Sequence, residues 1–179
     1  MANSGPSAAA SLSTRFTRQG LTAYAIALVV VILDQLSKLW ILGPFDLGDK
    51  VSVQVLPFFR LSMVWNPGVS YGLLQNHGEV GRWLLVLFAA CVVVALGVWV
   101  SRATRPLTAL AIGLVMGGAI GNNLVDRIRL GMVADFLDFS QLGFKWVFNV
   151  ADSAITVGVI VLLIDTFLTS RPPATAERR

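Results

Sequence analysis

Four long apolar stretches, at residues 21–42, 83–100, 107–124 and 147–168, dominate the hydropathy pattern of the chain. Each approaches the ~20 apolar residues needed to cross ~30 Å of hydrocarbon as a helix. The pattern therefore predicts four transmembrane helices. The longest connection, about residues 43–80, separates the first from the second. Within it, Val51-Ser52-Val53-Gln54-Val55 alternates apolar and polar positions, and Phe59-Arg60-Leu61-Ser62-Met63-Val64 offers a second extended segment. Period-two alternation is the signal of a half-buried strand. The expected architecture is an all-α membrane protein of four transmembrane helices, with a small extracytoplasmic β-sheet between helices one and two. Residues 1–20, rich in Ser, Ala and Gly, are expected to form a disordered arm, residues 21–170 the membrane domain, and residues 171–179 a tail. The first apolar stretch is long enough to span and ends without an A-x-A cleavage signal, so it is expected to be a retained helix.

Composition supports this picture. Of 179 residues, 55% are hydrophobic and 13% charged, against about 25% charged in a soluble domain. Mean hydropathy is +0.72. The net charge of +4 arises from scattered Lys and Arg, without the clustered basic face that nucleic-acid binding needs. Arg15 and Arg18 precede the first span, Arg102 and Arg105 lie between spans two and three, and Arg171, Arg178 and Arg179 end the chain. Excess positive charge marks the cytoplasmic side. Both termini are therefore expected in the cytoplasm, although Lys50, Arg60, Arg127, Arg129 and Lys145 fall on the opposite side.

The single cysteine, Cys91, excludes an intrachain disulfide. It and the single histidine, His77, cannot build a conventional His/Cys zinc site. No G-x-S-x-G elbow accompanies His77. The aspartates are left as the main candidates for chemistry.

Ionisable groups beside membrane spans are costly and tend to mark function. Asp34 and Lys38 are four apart near the outer end of span one, the spacing of a structural ion pair. Asn66 opens a segment broken by Pro67, Gly68 and Gly72, and fits either a plain turn or an amide that binds an extended peptide backbone. Asn123, Asp126 and Arg127 share one face if the third helix continues, with Asp126 and Arg127 read as an interfacial pair. Asp135 follows an apolar run. Asn149 and Asp152 are three apart at the mouth of span four, where an acid also suits a helix N-terminus. Two neighbouring carboxyls in a low-dielectric site cannot both ionise easily, so one keeps a proton. One can then accept a proton from water while the other donates to a carbonyl. Asp135 and Asp152 are the pair chosen, with Asp126 set aside because Arg127 adjoins it and Asp138 because it reads as loop surface.

The ordered segments Leu33-Asp34-Gln35-Leu36-Ser37-Lys38, Asn66-Pro67-Gly68-Val69-Ser70-Tyr71-Gly72, Gly117-Gly118-Ala119-Ile120-Gly121-Asn122-Asn123-Leu124-Val125-Asp126-Arg127, Val133-Ala134-Asp135-Phe136 and Phe148-Asn149-Val150-Ala151-Asp152-Ser153-Ala154-Ile155 closely resemble those of the lipoprotein signal peptidases (signal peptidase II). The resemblance covers nearly the whole chain outside its two ends. It implies a multi-pass, metal-free and cofactor-free aspartic endopeptidase of a bacterial inner membrane, its site near the extracytoplasmic face. Such an enzyme, expected as a monomer among membrane lipids, cuts a diacylglyceryl-modified prolipoprotein just before the lipidated cysteine. The resemblance assigns Asp135 and Asp152 as the catalytic pair. It gives Asn66, Asn123, Arg127 and Asn149 as substrate-binding or dyad-supporting residues, and Asp34, Lys38 and Asp126 as structural polar residues. One departure stands out. The family pattern G-G-A-x-G-N-x-x-D-R is lengthened here by one residue, so Asn123 matches when counted back from Asp126 and Asn122 when counted forward from Gly118. One extra residue turns a helix by about 100°, unless a local bulge absorbs it. On residues alone, a small proton-coupled transporter or a structural membrane subunit stays open.

Overall fold

The computed structural model describes residues 16–68 and 78–170. The four apolar stretches form helices α1 (Arg18–Leu42) and α3 (Gly78–Ser101), a compound third span (Pro106–Leu130), and α6 (Val150–Thr169). All four are long and apolar enough to cross a membrane. The compound span consists of α4 (Pro106–Ala119), a π-helical segment (Ile120–Asp126) and the short α5 (Arg127–Leu130). Its apolar window is 61% buried, against 22–28% for the other spans, which makes it the centre of the bundle. Of the predicted arm, Arg18 already lies in α1; residues 1–15 and the tail 171–179 lie outside the described residues.

Small residues let the central helix approach its neighbours. A Cβ at Gly117 would sit 2.6 Å from Val30 Cβ and 2.7 Å from the Ala27 carbonyl oxygen of α1. One at Gly158 of α6 would sit 2.8 Å from the Ala111 carbonyl oxygen of α4. Close backbone approach at small residues is the usual basis of helix association in lipid, where no hydrophobic driving force acts between helices. At the end of the bundle that holds the start of α1, the Thr17 side chain accepts from the Gly20 N–H at 2.9 Å and donates to the Ala103 carbonyl at 2.6 Å. This cap ties α1 to the turn between α3 and α4.

At the opposite end, the short α2 (Leu47–Lys50) leads into β1 (Ser52–Leu56) and β2 (Phe59–Asn66). Two further strands, β3 (Val133–Asp138) and β4 (Val147–Phe148), follow α5 and complete a four-stranded antiparallel sheet in the order β1-β2-β3-β4. The sheet is thus shared between two connections and does not belong only to the segment between helices one and two, and the chain is not all-α. The reason is visible in β3: its residues Val133-Ala134-Asp135-Phe136-Leu137-Asp138 are almost all buried, so apolar side chains occupy both faces and the alternation that marks a one-sided strand is missing. The predicted fourth span loses its first residues to β4, and α6 begins only after its cap, Asn149. Ile41, Leu47, Leu61 and Phe136 form the core that seats the sheet on the end of α1.

Gly117→Val should place methyl groups against the Ala27 carbonyl and Val30. We expect a loss of about 1–3 kcal/mol from overpacking, read as a lower unfolding midpoint in detergent micelles. An unchanged midpoint would mean that α1 and α4 do not pack this closely.

Candidate active site

The start of α6 is set by a reciprocal cap. The Asn149 side-chain oxygen accepts from the Asp152 N–H at 2.9 Å, and Asp152 Oδ2 accepts from the Asn149 N–H at 3.2 Å. Two of the free donors of a helix start are satisfied in this way, and the Asp152 carboxyl is held at the bundle end of the sheet. Its second oxygen, Oδ1, accepts from Asn122 Nδ2 at 2.7 Å. Asp135 arrives from β3, where it pairs with Val64 of β2. Asn66 is two residues beyond Val64 and so projects from the same face. Asn66 Nδ2 donates to Asp135 Oδ2 at 3.1 Å, while its own oxygen accepts from the Gly68 N–H at 3.1 Å. With both ends of this amide engaged, Asn66 buttresses Asp135. Asn149 Nδ2 donates to Asp135 Oδ1 at 2.7 Å. One asparagine therefore touches both carboxyls.

Behind this pair lies a buried ionic cluster. Lys38, only 2% exposed, does not reach for the membrane surface. Its ammonium meets Asp34 Oδ2 at 2.8 Å, Asp126 Oδ2 at 2.6 Å and Asn122 Oδ1 at 2.8 Å. Asp34 Oδ1 accepts from the Ala151 N–H at 3.1 Å, reaching the first turn of α6. Gln35 Nε2 donates to both Asp34 Oδ2 and Asp126 Oδ1.

The expected pairing of Asp126 with Arg127 is replaced. Asp126 belongs to Lys38, whereas Arg127 donates from Nε to Asn123 Oδ1 at 3.1 Å and from its terminal nitrogens to the Pro67 and Gly68 carbonyls. Arg127 thus clamps the chain where it leaves β2. Among the matched asparagines, Asn122 contacts Asp152, while Asn123 serves Arg127. The π-helical turn accounts for this: the Arg127 N–H donates to the Asn122 carbonyl five residues back. The turn absorbs the extra residue, and counting back from Asp126 therefore selects the wrong neighbour for the pair. Val69, Ser70, Tyr71, Gly72 and His77 lie outside the described residues.

Burial, and then the charge of Asp152, push the Asp135 carboxyl up to about 7, against the opposing pull of the Asn66 and Asn149 amides and Lys38. Asp138 is not the loop-surface acid expected from the sequence. It is buried in β3 and accepts from Arg60 Nε at 2.7 Å, Ser62 Oγ at 2.8 Å and the Ser140 N–H at 2.8 Å. Burial works against its charge, but these donors together hold it well below the usual carboxylate range. It pins the sheet to the following loop and does not join the pair. A cavity of about 650 Å³ opens on Asp135 and Asp152, with Phe144, Trp146, Phe148 and Ile155 in its wall. Two carboxyls, held by amides at a cavity lined mainly by apolar side chains, have the parts needed to divide one proton between them.

A family model described as signal peptidase (SPase) II matches residues 26–168. Proteins named lipoprotein signal peptidase are similar to this chain. One from Caulobacter vibrioides is 56% identical over 87% of this chain and 92% of its own length. One from Rhodopseudomonas palustris is 46% identical over 84% and 93%. A solved structure described as a bacterial membrane enzyme superposes with a TM-score of 0.74 at 30% identity, covering 88% of this chain and 94% of that one.

Two outcomes test the site's construction. Asp34→Ala removes one partner of a buried ammonium and the acceptor of the Ala151 N–H, and should cost about 3–5 kcal/mol, the usual result of breaking a buried pair from one side. Asp135 is better protonated in the folded chain than its ordinary value of 3.8 allows. Its contribution to stability is fully present below that value and is lost as pH rises through about 7. Unfolding midpoints across this window should fall less steeply in Asp135→Asn than in the parent; equal slopes would contradict the environment described.

Proposed function

The chain belongs to the signal peptidase II family, and from that premise we propose that it cuts as an aspartic endopeptidase, with Asp135 and Asp152 as the catalytic pair. It is a membrane peptidase that removes the signal peptide from prolipoproteins, which sets aside the transporter and structural-subunit readings. The observation that carries the catalytic reading is the convergence of two carboxyls, buried Asp135 from a strand and half-buried Asp152 from a helix, on one residue, Asn149, which donates its side-chain amide to Asp135 and its backbone N–H to Asp152 at the wall of a cavity.

In this reading one carboxylate takes a proton from water as the water oxygen attacks the scissile carbonyl carbon. The other carboxyl gives its proton to the carbonyl oxygen. Collapse of the resulting diol breaks the C–N bond as the proton taken from water passes to the leaving amine and one diol hydroxyl returns its proton to the second carboxylate. Asn66, Asn122 and Asn149 orient the pair, Asn123 and Arg127 steady the strand exit beside it, and no cofactor enters a step. The aromatic wall of Phe144, Trp146 and Phe148 supports a substrate that carries acyl chains, in keeping with a diacylglyceryl-modified cysteine just after the cut. The basic residues near both chain ends and between α3 and α4 support cytoplasmic termini and a site at the extracytoplasmic face of a bacterial inner membrane.

The purified protein should cleave a diacylglyceryl-modified prolipoprotein in micelles, and Asp135→Asn and Asp152→Asn should each cut about 100- to 10,000-fold more slowly, the usual contribution of a positioned acid or base. The parent's rate should fall as pH rises through about 7, where the pair loses its shared proton. It should fall again in acid, when the remaining carboxylate is protonated. A folded variant that cuts within a few-fold of the parent would overturn the assignment.

A further inference from the structure

The buried ionic cluster reaches the Asp152 carboxyl through a single amide, that of Asn122, and the connection has a direction. Asn122 Oδ1 accepts from the Lys38 ammonium at 2.8 Å and from Asn149 Nδ2 at 3.0 Å. An amide oxygen that faces two donors cannot exchange places with its nitrogen, because the flipped amide would set its own N–H groups against an ammonium and a second amide nitrogen. The Asn122 Nδ2 group is thereby committed to Asp152, to which it donates at 2.7 Å. The ammonium also polarises the amide it binds, which strengthens the amide's donation at its far end.

We propose that Lys38, acting through Asn122, is a positioning residue that makes Asp152 the charged carboxylate of the pair and leaves the shared proton on Asp135. This deepens the catalytic reading above and rests on it. Asp152 also accepts the N–H of its own cap residue at the start of α6, where the helix dipole favours negative charge. Among the described residues, Asp135 receives only the neutral amides of Asn66 and Asn149, and the nearer of these is shared with Asn122 Oδ1 and the Ala134 carbonyl. It lies in a strand, without a helix terminus behind it. The charged groups around the pair are Lys38 and Asp34 from α1, and Asp126 and Arg127 from the third span. Their formal charges sum to zero, and the direct hydrogen bonds are what distinguish the two carboxyls. The roles follow: Asp152 takes the proton from water, and Asp135 donates to the scissile carbonyl oxygen.

The test is the pH dependence of kcat/KM for prolipoprotein cleavage in the parent, in Asn122→Ala and in the paired variant Asp34→Asn with Lys38→Met. The paired variant keeps the cluster's net charge unchanged. Asn122→Ala leaves all three ionic partners in place and carries the test if the paired variant does not fold. In both, the acidic limb of the profile should move up by about one pH unit or more, a tenfold or greater change in proton affinity, while the alkaline limb stays. If only the height of the profile falls, Lys38 and Asn122 are structural and the proposal fails. Movement of the alkaline limb alone would reverse the assignment of the proton. Asp135→Asn and Asp152→Asn, assayed alongside, keep the two readings apart: near-parent cleavage by either removes the pair itself, whatever the limbs do.

Discussion

An ammonium ion buried among three acceptors sets the rest of this structure. Removing an ion from water costs several kcal/mol even after the surroundings relax, and the cost is offset only when every donor is matched. Lys38 meets that condition with Asp34 from its own helix and with Asp126 and Asn122 from the third span. Because Asp34 also accepts the Ala151 N–H, the same cluster fixes where α6 begins relative to α1. Gly121 shows how little freedom remains, since a Cβ there would lie 2.7 Å from Asp34 Oδ2. Three helices are thus brought into register by one charge, and the aspartate pair sits at the rim of that arrangement.

The π-helical turn reconciles two demands on the third span. Upstream, Gly113 and Gly117 must face the α1 backbone. Downstream, Arg127 must reach the Pro67 and Gly68 carbonyls, and the chain must then enter β3. With one extra residue between these points, a regular helix would misdirect one set by about 100°. Widening one turn restores both, and it lets Asn122 and Asp126 address the same ammonium. Wide turns of this kind concentrate at functional sites, where the distortion is offset by what it positions. Here it brings Asn122 against Asp152 and points Asn123 to the clamp.

The spans were legible because each is a long apolar run, and β1 and β2 because they alternate. Strand β3 was not, since burial on both faces erases the alternation, and its Asp138 read as a loop acid. Asp135, Asp152 and Asn149 were legible as motifs. The partners were less so. Sequence reasoning joins charges that are adjacent or one turn apart, whereas Asp126 is met by a lysine from another helix and the adjacent Arg127 points elsewhere. Asn122 was hidden by the assumption of about 3.6 residues per turn; the surplus residue was the visible sign that this assumption fails locally. For Lys38 the partner was legible and the depth was not. Its spacing from Asp34 identified the pair correctly, but only the fold reveals that it is fully enclosed.

Asn149 is where stability and chemistry become inseparable. Its side-chain oxygen caps α6 through the Asp152 N–H, and its nitrogen holds Asp135. The two carboxyls come from elements fixed by different means. The register of β3 against β2 is secured by strand pairing and by the Arg60–Asp138 ion pair, whereas the position of Asp152 depends on the helix start. A joint between such elements must answer to both, and an amide can, because it offers an acceptor at one end and donors at the other. A carboxylate there would lack donors for Asp135, and an ammonium would lack an acceptor for the helix. The neutrality of Asn149 has a second consequence. It brings two acids together without supplying a compensating charge, which leaves burial and mutual repulsion to keep one proton between them.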